Sequence, residues 1–162
     1  MSDFKVESFS VPVKDVDIQK TVDILKESLG DIQKRISELL SQNDFTFIIR
    51  NNTDYKLKRT GAYNDSSNWP FEDIEPHTID IKLMRAKSFS FAGKYALPYG
   101  EIVIAASYPL NSSRKIAMEW GDNLKKTWDN MDDPSDKSAG SNRAYLTEKN
   151  GKPIWVFEIN GF

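Results

Sequence analysis

The sequence has no cysteine, a single histidine and no long hydrophobic run. Without cysteine, the 162-residue chain has neither disulfides nor thiolate chemistry, which fits a reducing compartment and does not exclude release from the cell. The N-terminus lacks the apolar core of a secretory signal, and no apolar run is long enough to predict a constitutive transmembrane helix. The net charge of −2 supplies no basic surface for nucleic acid. We therefore expect a soluble chain that acts extracellularly if it is released and is otherwise cytoplasmic.

Groups that could carry catalysis or hold a metal are also scarce. His77 follows Pro76 at the start of a predicted strand and has no cysteine or histidine partner at ligand spacing, which favours a loop or strand-edge role. There is no nucleophile elbow and no glycine-rich phosphate loop. The cluster of Asp132, Asp133 and Asp136 lacks the regular spacing of a calcium loop. These absences predict a non-enzyme with no catalytic residue, no metal and no cofactor.

What the sequence does contain is a long amphipathic segment that predicts an α-helix over residues 15–40. Its apolar residues recur in alternating steps of four and three, which places them on one stripe of the helix. At 1.5 Å per residue such a helix is about 39 Å long. The stripe consists of Ile18, Val22, Leu25, Leu29, Ile32, Ile36 and Leu39. The opposite face carries the charged residues Lys20, Asp23, Glu27, Asp31, Lys34, Arg35 and Glu38.

Three arrangements suit this stripe. It can pack on a β-sheet, and its spacing also suits the seam of a coiled coil. The helix is in addition long enough to cross a hydrocarbon core about 30 Å thick. A single copy would expose its charged face to lipid, whereas several copies around a water-filled pore would turn that face towards the lumen. With six acidic and four basic residues in the segment, such a lumen would favour cations.

From residue 45 onward the pattern is almost entirely strand and turn. Glu101–Tyr108 is the most apolar strand and is expected at the centre of a sheet, whereas Ser88–Phe91 is expected to break at Gly93. Asn150-Gly151 predicts a terminal hairpin, and residues 122–131 predict a short helix. Short strands without a βαβ rhythm are typical of a sandwich.

The predicted fold is therefore mainly β: a single-domain β-sandwich with a long N-terminal amphipathic helix and a short second helix. The chain divides into an N-terminal segment, residues 1–44, and a β-sandwich body, residues 45–162. Within the body, one strand shows a clean alternation of apolar and charged residues. On one face it carries Ile79, Ile81 and Leu83, and on the other Asp80 and Lys82.

Aromatic residues next to loops are the candidate ligand-binding groups of the body. Such side chains can sit at a lipid interface or stack on a sugar. Trp69 borders the polar loop at residues 64–68, and Tyr108 ends the central strand immediately before a proline. Together with Tyr63 and Trp128, these residues form the predicted membrane- or ligand-binding set.

Several short strings of the sequence occur in the same order as in a known family. They are Ile18–Gly30 with the basic pair Lys34-Arg35, Phe47–Thr53, Phe91-Ala92-Gly93 and Ile102–Pro109. In this order of helix, first long strand, small residues and central strand ending in Ser-x-Pro, residues 16–120 resemble the actinoporin-like pore-forming cytolysins.

The resemblance implies a toxin that binds a lipid membrane, forms homo-oligomers and inserts its N-terminal helix. Lys20, Asp23, Glu27, Asp31, Lys34 and Glu38 would then line the pore. The sequence departs from the family where aromatic residues should follow Ser-x-Pro, because only Tyr108 is aromatic there. Two alternatives remain open: a glycan-binding lectin with a sandwich like that of the fungal fruit-body lectins, and a non-lytic protein that oligomerises through the helix stripe.

Overall fold

The protein is described by a computed structural model that covers residues 5–12, 45–64, 71–85, 88–108, 114–131, 137–149 and 152–161. These residues form a mainly β structure of two sheets with one short helix. The helix predicted over 15–40, with its six proposed pore-lining residues, lies outside the described residues. Within them, no helix combines the length and the hydrophobicity that crossing a membrane requires.

The two sheets have six and four strands. The six-stranded sheet has the order β1-β4-β2-β10-β9-β8 and the four-stranded sheet the order β3-β5-β6-β7; neighbours are antiparallel except for the parallel pair β2 and β10. The strands are β1 Lys5–Pro12, β2 Phe45–Asn51, β3 Lys58–Asn64, β4 Thr78–Arg85, β5 Phe89–Leu97, β6 Gly100–Tyr108, β7 Lys115–Trp120, β8 Lys137–Ala139, β9 Asn142–Lys149 and β10 Lys152–Ile159. The helix, α1, spans Leu124–Asp129.

The main core lies between the two sheets and is rich in aromatic rings. Phe47 of β2 contacts Phe89 and Phe91 of β5 at centroid distances of 5.0 and 5.4 Å. The Trp155 ring lies 4.9 Å from that of Phe89, and its indole N–H donates to the Lys115 carbonyl at 3.0 Å. Among the described residues, the buried members of this core lie between residues 45 and 159. Residues of the body from both sheets therefore meet in this core.

Two predictions for individual strands can be compared directly with the structure. The expectation that β6 is central is confirmed, since it pairs with both β5 and β7. The break expected at Gly93 is wrong, because β5 continues to Leu97. Gly93 is buried and pairs with Ala62 on one side and Ile104 on the other. Backbone pairing along both edges outweighs the weak strand preference of glycine.

The charged side of β4 faces the other sheet. Register with β2 puts Asp80 and Lys82 on the same side as Ile49 and Phe47, which belong to the inter-sheet core. The alternation predicted for this strand is therefore correct, but its apolar side lies on the outer face of the sheet. Asp80 is buried, and its carboxylate lies 3.4 Å from Lys82 Nζ.

Candidate functional site

The short helix α1 packs on the outer face of the four-stranded sheet. Asn123 caps its N-terminus by accepting a hydrogen bond from the Lys126 N–H at 3.0 Å. Small residues on the sheet let the helix approach closely. They are Ala92, Ala105 and Ala117, with Val103, and the Cα of Gly61 lies so near Leu124 that an added Cβ would be 3.2 Å from its Cδ1.

This packing brings together two of the four aromatic residues predicted from the sequence. Tyr63 of β3 and Trp128 of α1 meet edge to face with centroids 5.5 Å apart. Both are half-buried, as are Leu124 and Met131 beside them. We call Tyr63, Leu124, Trp128 and Met131 the helix-side patch. Residues 124, 128 and 131 share a side of the segment, as predicted from their spacing.

The indole of Trp128 is unusual in its hydrogen bonding. Its N–H is buried, yet it has no acceptor among the described residues. A buried donor without a partner costs about 1–3 kcal/mol, and in a native structure such a group calls for an explanation, such as an ordered water, local strain or a bound ligand. An acceptor brought by a ligand would remove that penalty, so Trp128 is the residue of the patch with the strongest reason to bind one.

The other two predicted aromatic residues are not placed with this pair. Tyr108 lies at one end of the sandwich, on the core side, with its ring 5.1 Å from Phe45 and 6.2 Å from Trp155. The Arg114 guanidinium stands over the Tyr108 ring at 5.8 Å. Trp69 lies outside the described residues. The structure thus separates Tyr108 from the helix-side patch by placing it on the opposite face of the four-stranded sheet.

At the opposite end of the sandwich lies a second aromatic group that was not predicted from the sequence. Tyr55, Tyr99 and Trp120 follow one another with successive centroid distances of 6.1 Å. Tyr55 is 47% exposed, which makes it the most open large apolar side chain among the described residues. Tyr55 comes just after the turn at 51–54. The loop-edge criterion that points to Trp69 therefore points to Tyr55 as well.

Polar side chains hold this end of the sandwich together. Buried Asn142 donates to the carbonyls of Ala139 and Gly161 at 2.9 and 2.8 Å, and its amide oxygen accepts from the N–H groups of Asn160 and Gly161 at 2.6 and 3.0 Å. Asn51 similarly donates to three carbonyls of neighbouring loops. These asparagines are therefore occupied in closing loops.

Two titratable groups at this end of the sandwich, His77 and Tyr99, have charged or aromatic neighbours. His77 sits in the turn before β4 at a φ of 50°, and its ring lies 2.6 Å from the Asp54 carboxylate. Burial raises the pKa of the Tyr99 hydroxyl, and nearby Tyr55 adds to the rise. Within the described ranges, no three acidic or histidine side chains cluster in a way that would hold a metal.

Comparison with protein-family models and with curated proteins finds no match to this chain.

Proposed function

We propose that this chain is a membrane-binding, pore-forming protein of mainly β fold. In the proposed mechanism the body docks on lipid through the helix-side patch. Several copies then assemble, and the amphipathic segment at 15–40 leaves the body and lines a pore. The observation that carries the proposal is that body residues from both sheets, between 45 and 159, pack against one another in the inter-sheet core. These contacts between body residues would remain after the amphipathic segment had left.

The helix-side patch supports the docking step. It combines an edge-to-face pair of Tyr63 and Trp128 with two further apolar side chains on one side of the four-stranded sheet. Aromatic residues with a polar tip are favoured where hydrocarbon meets water. If docking moves α1 enough to expose the buried Trp128 N–H, a lipid carbonyl or phosphate oxygen would supply the acceptor that it does not have within the described residues.

Dye release from liposomes tests the proposal at the docking step. Trp128→Ala should reduce vesicle binding and leakage together, because it removes both the ring and the donor. Tyr145→Ala is a matched control, since it removes an aromatic ring on the other sheet. Liposomes of several headgroup compositions should be compared, with and without sphingomyelin. No leakage from any composition would contradict the proposed function.

Single-channel conductance tests the pore lining. Changing Glu27 and Asp31 together to lysine should shift the ion selectivity from cations towards anions, because both side chains are proposed to face the lumen. Glu119→Lys, on β7 of the body, provides a charge-reversal control that should leave selectivity unchanged. Leakage with selectivity unaltered by the lysine pair would show that another part of the chain lines the pore.

A second candidate function, glycan binding without lysis, is favoured by the exposed Tyr55 beside Tyr99. Stacked or adjacent aromatic rings at a loop end present flat apolar surfaces of the kind on which sugar rings rest. In that case Tyr55→Ala should abolish binding on a glycan array, while Trp128→Ala should leave it unchanged. A stable multimer in buffer that responds to neither lipid nor glycan would instead favour the interaction protein.

A further inference from the structure

On the outer face of the six-stranded sheet, the three adjacent strands β4, β2 and β10 carry a continuous apolar surface that is buried. Register places six of its side chains on one side, opposite to the inter-sheet core. All six are 0–1% exposed: Ile48, Ile79, Ile81, Leu83, Ile154 and Val156. We call them the outer apolar face. The described helix α1 contacts the strands of the other sheet, so among the described elements none covers this surface.

The ends of β1 and β2 that the connection joins lie at opposite ends of the sheet. Both strands pair antiparallel with β4, which lies between them, so β1 and β2 run in the same direction. Pro12 at the end of β1 lies beside Thr78, whereas Phe45 at the start of β2 lies beside Met84 at the opposite end. The intervening chain, residues 13–44, therefore has to return along the sheet over about 20 Å.

A return across the sheet itself can use only the outer face. The inner face is filled by the inter-sheet core and the four-stranded sheet. Chain that crosses the outer face would account for side chains that are buried there without a described partner. The three strands β4, β2 and β10 span about 10 Å between their outer axes, which is close to the diameter of one α-helix.

We infer that residues 13–44 dock on the outer apolar face, with the apolar stripe from Ile18 to Leu39 turned towards Ile48, Ile81 and Val156. This inference concerns the resting protein in water and does not depend on the proposed function. It adds a constraint to that function: the docked segment is held by β1 before it and β2 after it. The segment can leave only as a loop or after β1 separates from β4.

Thiol labelling of the full-length chain tests this docking in the absence of membranes. The chain has no cysteine, so a single thiol reports on one position. Val156→Cys places it on the outer apolar face, and Ala105→Cys places a control thiol under α1 on the other sheet. Each cysteine variant is made in two backgrounds. One is the stripe variant, which carries Leu25→Asp and Leu29→Asp together, and the other is the polar-face control Glu27→Gln.

The stripe variant should raise the maleimide labelling rate at position 156 by about tenfold or more, because local release exposes the thiol. The rate at position 105 should stay unchanged, and Glu27→Gln should affect neither. The inference would be overturned if the labelling rate at position 156 were the same with and without the stripe variant. It would also be overturned if the stripe variant raised the rates at positions 156 and 105 equally. If the labelling rate at position 156 falls as the protein concentration rises, the inference is also overturned, because a second copy of the chain would then cover the outer apolar face. The labelling rate is measured without membranes, so a loss of lytic activity would not change it.

Discussion

The buried ion pair of β4 gives a sharp prediction about stability. Asp80 and Lys82 are both largely buried on the core side of the sheet, with exposed side-chain fractions of 9% and 11%. Their charged atoms are 3.4 Å apart, yet Asp80 Oδ1 accepts no hydrogen bond of good geometry among the described residues. Replacing Lys82 with methionine keeps an unbranched apolar side chain and removes the ammonium, whose Nζ also lies 5.6 Å from the centroid of the Phe71 ring. The carboxylate would then be buried without its cation.

Lys82→Met should lower the free energy of unfolding at pH 7 by about 3–5 kcal/mol, the usual cost of removing one partner from a buried ion pair. Burial already raises the pKa of the Asp80 carboxyl, and this effect outweighs the attraction of Lys82. A carboxyl with a raised pKa in the folded chain binds its proton more tightly there. Its contribution to stability is fully present below the unfolded pKa and is lost as the pH rises through the folded pKa. The penalty of Lys82→Met should therefore shrink as the pH falls towards 4.

Denaturant unfolding at several pH values, monitored by tryptophan fluorescence, measures this effect. Asp80→Asn in the same background should restore most of the stability at pH 7, because the unpaired charge is gone. Asp80→Asn alone should also destabilise the chain, because it leaves the buried Lys82 ammonium without its carboxylate. If Lys82→Met is neutral at pH 7, or if its penalty does not depend on pH, the carboxylate is solvated and the reasoning fails.

Three further predictions concern the ends of the sandwich and can be read by the same unfolding assay. Asn142→Ala should cost about 2–4 kcal/mol, because four hydrogen bonds to backbone groups disappear at a buried site; a loss below about 1 kcal/mol would show that water replaces them. Trp155→Phe should cost about 1–3 kcal/mol, because it loses ring volume and leaves the Lys115 carbonyl without its buried donor. Gly161→Ala should also destabilise, since φ is 103° and the new Cβ would lie 2.9 Å from the Tyr99 hydroxyl; unchanged stability would mean that this end relaxes freely.

Periodicity was sufficient to predict that the body is mainly β and to predict several of its elements. The strand at Glu101–Tyr108 is central because a run of apolar residues can be buried on both faces, and that property is visible in a single segment. The helix near residues 122–131 was visible because Leu124, Trp128 and Met131 recur at helical spacing. The hairpin prediction agrees with the antiparallel pairing of β9 and β10.

Properties that depend on partner strands could not be predicted in this way. Gly93 marks a weak point in an isolated strand, but pairing along both edges carries the strand through it. The alternation in Thr78–Arg85 shows that two faces differ, yet it does not show that Asp80 and Lys82 face the other sheet. That outcome depends on which face the second sheet covers, and no local pattern reports it.

The candidate site was predictable only as a set of residue types. Tyr63 and Trp128 are 65 positions apart in the sequence, and they meet because α1 folds back over β3. Tyr108 satisfied the same criterion, a loop-edge aromatic, but its ring packs towards the core. Tyr55 was missed although it is more open than either residue of the pair. Exposure is set by long-range packing, which a single sequence does not reveal.

The proposed docking of residues 13–44 also explains why pore formation would require a membrane. Burying a large aliphatic side chain is worth about 1.5–3 kcal/mol, so uncovering even part of the outer apolar face and of the helix stripe costs several kcal/mol in water. Separation of β1 from β4 would add the loss of their paired backbone groups. The segment would therefore remain docked in buffer. A bilayer changes the balance by offering the stripe an equivalent apolar environment, and oligomerisation keeps the charged face wet. The uncovered sheet face would then need a cover of its own, which neighbouring copies or lipid could provide.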